Sequence, residues 1–142
     1  EATASNLWGG KPGDLYLAYL LGQSLVGLRA EDVLVGARFL AELEGAGRPS
    51  KVHLISIGST GPAALHAAAL ESQMFDTLRL VRSLGSWTDV VRHPEAPRQL
   101  VNVVHGALAS YDLPDLLRSL PPEKVAVEEP LDLKSAAESK KQ

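Results

Sequence analysis

The 142-residue chain contains no cysteine. Disulfides, thiolate metal sites and a cysteine nucleophile are thereby excluded, while the compartment stays open, because a cysteine-free chain is at home in reducing and oxidising surroundings alike. Long hydrophobic runs are also missing. The longest, "LYLAYLL", falls far short of the roughly 20 residues a membrane-spanning helix needs, and no signal peptide is visible. Nor is there an excess of basic charge: 14 Lys and Arg stand against 17 Asp and Glu. With a net charge of −3, the chain has no electrostatic footprint for nucleic acid or an anionic membrane. Aromatic residues make up only 5%. Trp8, Trp87 and Tyr111 are therefore expected in core or rim packing before any sugar-stacking platform. No H-E-x-x-H, G-x-G-x-x-G or Walker lysine occurs, no acid or histidine spacing suggests a metal site, and no cofactor is expected.

What is present is ordinary globular chemistry, with 45% hydrophobic and 22% charged residues, enough for one domain with its own core. The chain opens on "EATASN" without a methionine and is expected to be a processed or trimmed piece of something longer. Residues 1–13 read as a lead-in loop, 14–133 as the domain and 134–142 as a polar tail that frays. Asp14 is a suitable N-cap for a helix over 15–21. Ala30, Val33, Leu34, Ala37, Leu40 and Ala41 recur with helical spacing and predict one apolar stripe. Glu31, Asp32, Glu42 and Glu44 read as the solvated face of that helix; a catalytic carboxylate pair must converge from separate elements, which no sequence spacing can show. "KVHLISI" (51–57) is apolar without clean alternation, as in a strand covered on both faces. A helix follows over 62–70, and a second strand over 77–84. An irregular excursion leads to "LVNVVHGAL" (100–108), which suits strand or helix. A short capped helix at "YDLPDLLRSL" precedes a third strand over 123–130. Strands alternating with helices predict an α/β fold: a parallel sheet in three layers, flanked by helices on both faces.

Chemistry concentrates at "SIGSTGPAALHAAALE" (56–71), where a strand meets a helix through a glycine turn. One reading is a hydroxyl nucleophile presented at the helix head, near backbone N–H groups that would stabilise an oxyanion. Another is that glycine is needed only because strand and helix meet closely. A third, anion binding at the helix N-terminus, has little support without a phosphate-loop signature.

Three stretches in this order, "LYLAYLLGQSLVGLRAEDVLVGARFLAE", "VHLISIGSTGPAALHAAALE" and "YDLPDLLRSLPPEKVAVEEPLD", resemble the second half of an α/β-hydrolase. The resemblance is to the acetyl xylan esterase-like group, relatives of dienelactone hydrolase and of the prolyl-oligopeptidase catalytic domain, and it spans roughly residues 7–133. It implies a partial α/β-hydrolase-like domain and esterase chemistry through a Ser/Asp/His triad. Matched to the family's G-H-S-x-G-G elbow, Gly58 falls on the first glycine and Thr60 on the serine. Gly61 falls on the variable residue that supplies an oxyanion donor, and Pro62 on the next glycine. Thr60 is β-branched and Pro62 lacks an N–H. Taking Ser59 as nucleophile instead would put Ile57 where the elbow needs a small residue. Asp132 sits at the family's acid position, yet no histidine follows it. His53, His66 and His93 read as structural or solvated, and His105 is the one histidine expected to approach the sheet's C-terminal edge. Glu128 and Glu129 also follow a strand toward that edge, where a charged strand end is the plainer reading.

The resemblance thus implies a degenerate or partial copy without a complete triad, like the copy that has lost its serine in tandem relatives. Thr60, Asp132 and His105 are the candidate catalytic residues, with Gly61 as oxyanion donor. The alternative is a non-catalytic pseudohydrolase module for assembly or carbohydrate binding. Its expected partners are a catalytic hydrolase domain or a second copy at an open sheet edge, with an ester or carbohydrate as ligand.

Overall fold

The computed structural model describes residues 11–43 and 51–138. Helices α1 (Pro12–Leu20) and α2 (Leu25–Leu43) come first, then β1 (Val52–Ile57), α3 (Gly61–Leu70), β2 (Phe75–Val81), α4 (Trp87–Arg92), α5 (Leu113–Ser119), β3 (Val125–Glu128) and α6 (Leu133–Glu138). The three strands form one parallel sheet in the order β1-β2-β3. β2 is thus central, and among the described residues β1 and β3 are each paired on one side only.

The sheet is packed on one face. Val52, Leu54 and Ser56 of β1 and Leu78 and Leu80 of β2 point toward the helices, and the core is completed by Ala30, Leu34 and Ala37 of α2 and by Ala64, Leu65, Ala67 and Ala68 of α3. Small residues on α3 let α2 and the sheet approach it closely, so the helix is sandwiched by shape rather than by bulk. The opposite face of the sheet carries His53, Ile55, Ile57, Thr77 and Arg79, all exposed. The mixed α/β architecture with a helix-flanked parallel sheet agrees with the sequence. The expected cover on both faces does not: among the described residues the outer face is open, with Ile55 60% and Ile57 58% exposed. The missing alternation in "VHLISI" comes from isoleucine on a solvated face, not from a second helical layer.

Other boundaries moved for local reasons. α1 begins at Pro12, so Asp14 lies in its first turn rather than at its cap. α2 buries Ala30, Leu34 and Ala37, but Leu40, expected on the same stripe, is 53% exposed. "LVNVVHGAL" is neither strand nor α-helix but two 3₁₀ turns, Leu100–Asn102 and Ala107–Ala109, the second entered through Gly106 at φ +72°. Residues 134–138, expected as part of a frayed tail, instead continue α6, which begins at Leu133, the buried last residue of the expected domain. Trp8 and Glu44 lie outside the described residues.

One carboxylate organises the excursion between β2 and β3. Asp112 accepts from Leu113 N–H (2.7 Å) at the start of α5, whose N-terminus also carries the reciprocal bond from Asp112 N–H to Asp115 Oδ2 (2.7 Å). The same side chain reaches back to the start of α4, accepting from Trp87 N–H (2.7 Å), Ser86 Oγ (2.6 Å) and the Thr88 hydroxyl (2.8 Å). Burial alone would raise the Asp112 pKa, but these bonds outweigh it and hold it down at about 2. A single residue therefore caps two helices that are distant in sequence.

Candidate functional site

The turn after β1 is built by glycine. Gly58 takes φ +70°, a left-handed conformation that only glycine enters without penalty. The chain then makes a 3₁₀ turn over Gly58–Thr60 and enters α3. Thr60 itself has φ −86° and ψ −9°, a relaxed right-handed conformation. In a nucleophile elbow the strained residue carries the nucleophile, whereas here the left-handed residue is Gly58 and the hydroxyls come after it.

The Thr60 hydroxyl is engaged within its own turn. Its Oγ1 donates to Ile57 O (3.2 Å) and lies 2.7 Å from the buried Ser56 Oγ, which is then the donor to Thr60. The proton is directed to a backbone carbonyl rather than to a base. Gly61 N–H, the expected oxyanion donor, is bonded to Gly58 O and closes the turn. Gly61 is needed for a different reason. A Cβ there would sit 2.5 Å from Ser83 Cβ, so glycine is required by the close passage of α3 against the end of β2.

The other two candidate residues lie elsewhere. Asp132 is exposed and caps α6, accepting from Ser135 Oγ (2.5 Å), Ser135 N–H (3.3 Å) and Lys134 N–H (3.0 Å). The Ser135 bonds lower its pKa. His105 stands against Tyr19 of α1, ring centroids 5.0 Å apart, and lines an apolar pocket with Leu15, Leu100 and Val103. It is not among the residues that wall the cleft at the sheet's C-terminal edge described below. Among the described residues no hydrogen bond joins Thr60, Asp132 and His105.

The remaining histidines have structural partners. His53 Nδ1 pairs with Thr77 Oγ1 (2.9 Å) across the open face, and His93 Nδ1 with Asp89 O (3.1 Å). His66 donates from Nδ1 to Pro62 O (2.6 Å), and its Nε2 then accepts from Tyr111 OH (2.9 Å). Its ring packs beside Trp87 and Tyr111, which form an aromatic cluster in the helical layer rather than an exposed platform. Burial lowers the His66 pKa against the raising effect of the Pro62 bond, so the neutral ring belongs to the fold. Glu128 is paired with Arg79 (2.6 Å), a charged strand end as expected.

The feature that sequence reasoning missed is a cleft of about 400 Å³ at the C-terminal edge of the sheet, walled by Gly58, Ser59, Arg82, Arg98, Gln99 and Asn102 with apolar neighbours. Its signal was diffuse: the arginines stand in unrelated segments, and only the topology brings them together. No histidine is among its wall residues. Among the described residues no group of three His, Asp or Glu side chains is placed to hold a metal, and no helix is long and apolar enough to cross a membrane.

No family model matches the chain, and neither a curated protein nor a solved structure is similar to it.

Proposed function

We propose that the chain works by binding rather than by turnover, as a catalytically silent α/β module of esterase-type, acetyl xylan esterase-like descent. The single observation that carries this reading is the separation of its hydroxyl, acid and imidazole groups. Thr60 is tied to Ser56 and Ile57, Asp132 to the start of α6 and His105 to Tyr19. Acyl transfer needs a nucleophile whose proton a base can take within hydrogen-bond reach, and an oxyanion donor that is free. Gly61 N–H is occupied by the turn. The test is exposure of the purified chain to a serine-directed fluorophosphonate, followed by intact mass. The reading expects no adduct, and an adduct mapped to Ser59 or Thr60 would overturn it.

An assembly role is favoured by the open sheet face. Parallel sheets are ordinarily covered on both faces, and here Ile55 and Ile57 stand exposed between His53, Thr77 and Arg79. The occupant we assign is a second copy of the chain, because a two-fold axis through such a face brings Ile55 and Ile57 against their own counterparts. Sedimentation velocity distinguishes the cases: a dimer that Ile55→Lys dissociates is expected, and a monomer at all accessible concentrations contradicts the assignment.

A further inference from the structure

The three parallel strands end alike. The residue directly after each is left-handed: Gly58 at φ +70° after β1, Arg82 at +50° after β2 and Glu129 at +48° after β3. The register sets Ile57, Val81 and Glu128 side by side, so the three turns fall at one level along the sheet edge. The cleft described above opens at this level, at the carboxyl ends of the strands, where open α/β sheets take their ligands.

Three features of its wall point to the chemistry of an occupant. First, it carries two arginines and no carboxylate. Arg38, Arg79, Arg92 and Arg118 each pair with an acid, whereas Arg82 and Arg98, like Arg29 elsewhere on the chain, have none within ion-pair distance among the described residues. Arg98, like Arg82, stands in left-handed backbone, at φ +62°. Second, Asn102 is only 2% exposed, and its Oδ1 is the one buried side-chain polar atom without a partner among the described residues. Its Nδ2 donates to Gln99 Oε1 (3.3 Å), which leaves Oδ1 as an acceptor lacking a donor. Third, Ser59 is exposed on the same wall, and its hydroxyl makes no hydrogen bond among the described residues.

We propose that this cleft binds a small hydroxylated organic anion, with its carboxylate or phosphate between Arg82 and Arg98 and a hydroxyl donating to Asn102. Guanidinium groups match either head group through paired N–H bonds, and the hydroxyl satisfies the orphaned oxygen. Ser59 contributes a further donor to the anion. No bond is made or broken, so the proposal stands or falls separately from catalytic silence and from self-association.

The experiment is calorimetric titration of the full chain at low salt with glucuronate, glucose 6-phosphate, glucose and inorganic phosphate. One or both sugar anions are expected to bind at one site, and their ranking identifies the head group. Glucose is expected to give no heat, and inorganic phosphate to bind at least tenfold more weakly than the better sugar anion. R82G and R98G suit the backbone they replace, so each is expected to keep or raise the melting temperature while weakening the anion at least tenfold. Loss of binding in a variant at least as stable as the parent cannot be loss of fold. Absence of heat with every anion overturns the proposal, and so does binding unchanged in the R82G/R98G double variant. Glucose equal to the anions removes the charge recognition, and phosphate equal to the sugar anions removes the hydroxyl contact; either overturns it as well.

Discussion

Gly61→Ala isolates what the glycine turn is for. Gly61 has φ −54° and ψ −49°, an ordinary helical conformation that alanine adopts freely. Its lack of a side chain matters for space alone. A Cβ at this position overlaps Ser83 Oγ and lies 2.5 Å from Ser83 Cβ and 3.4 Å from Ser83 Cα. Rotation about χ1 moves the hydroxyl but leaves Cβ in place, so two carbons stand about 1 Å inside their normal contact distance of roughly 3.5 Å. The start of α3 and the end of β2 must move apart, and such overpacking costs about 2–3 kcal/mol. Alanine returns at most about 1 kcal/mol through helix propensity, and less in the first turn. The net loss is about 2 kcal/mol, which for a domain of this size lowers the melting point by roughly 6 °C. Ser83→Gly removes the obstructing carbon and gives up only a 3.3 Å bond to Leu84 O. The double variant should therefore be at least as stable as Ser83→Gly alone, with a coupling near 2 kcal/mol by denaturant unfolding. Gly61→Ala within about 0.5 kcal/mol of the parent, or no rescue by Ser83→Gly, would refute the close-passage explanation.

Other expectations follow from the same geometry. Asp112→Ala uncaps α4 and α5 together and should cost about 2–4 kcal/mol, two caps' worth, in urea unfolding, whereas a loss below about 1 kcal/mol would mean the caps act singly. Because the folded Asp112 pKa is about 2 and lies below its unfolded value, its contribution is full above about pH 4. It fades as pH falls toward 2, and Asp112→Asn should flatten that segment of the stability profile. His66 has a lowered folded pKa, so the unfolded chain takes up its proton first. Stability should be full above about pH 6.5 and decline as pH drops below it. His66→Gln should remove that decline, and a profile unchanged between pH 5 and 7 would contradict the buried neutral ring.

The helical periodicity of α2 was legible because each of Ala30, Leu34 and Ala37 carries its own evidence of burial, and the structure buries all three. The glycine turn was legible as a place but not as a function, since Gly58 and Gly61 serve different needs: one supplies a left-handed angle, the other space beside Ser83. The sequence of β1 carries an apolar residue on each face, which reads as cover on both. Only the structure reveals that nothing described lies over Ile55 and Ile57. The bonds that matter most between β2 and β3 are long-range. Nothing near Ser86 announces that its helix is capped by Asp112, 26 residues away. Likewise arginine is a poor sequence sign of left-handed backbone, so the turn at Arg82 and the cleft it opens were hidden. Nothing in the run "VVHGAL" announces that the His105 ring stands against Tyr19 of α1, more than 80 residues earlier in the chain.

The most direct measurement of catalytic silence is hydrolysis of an activated acetate ester by the purified chain beside Thr60→Ala, Ser59→Ala and His105→Ala. Thr60→Ala gives up the bond to Ser56, about 1 kcal/mol, and should stay folded. The account predicts rates at the uncatalysed background for all four proteins. Turnover by the parent chain that disappears with Thr60 or Ser59 would contradict it.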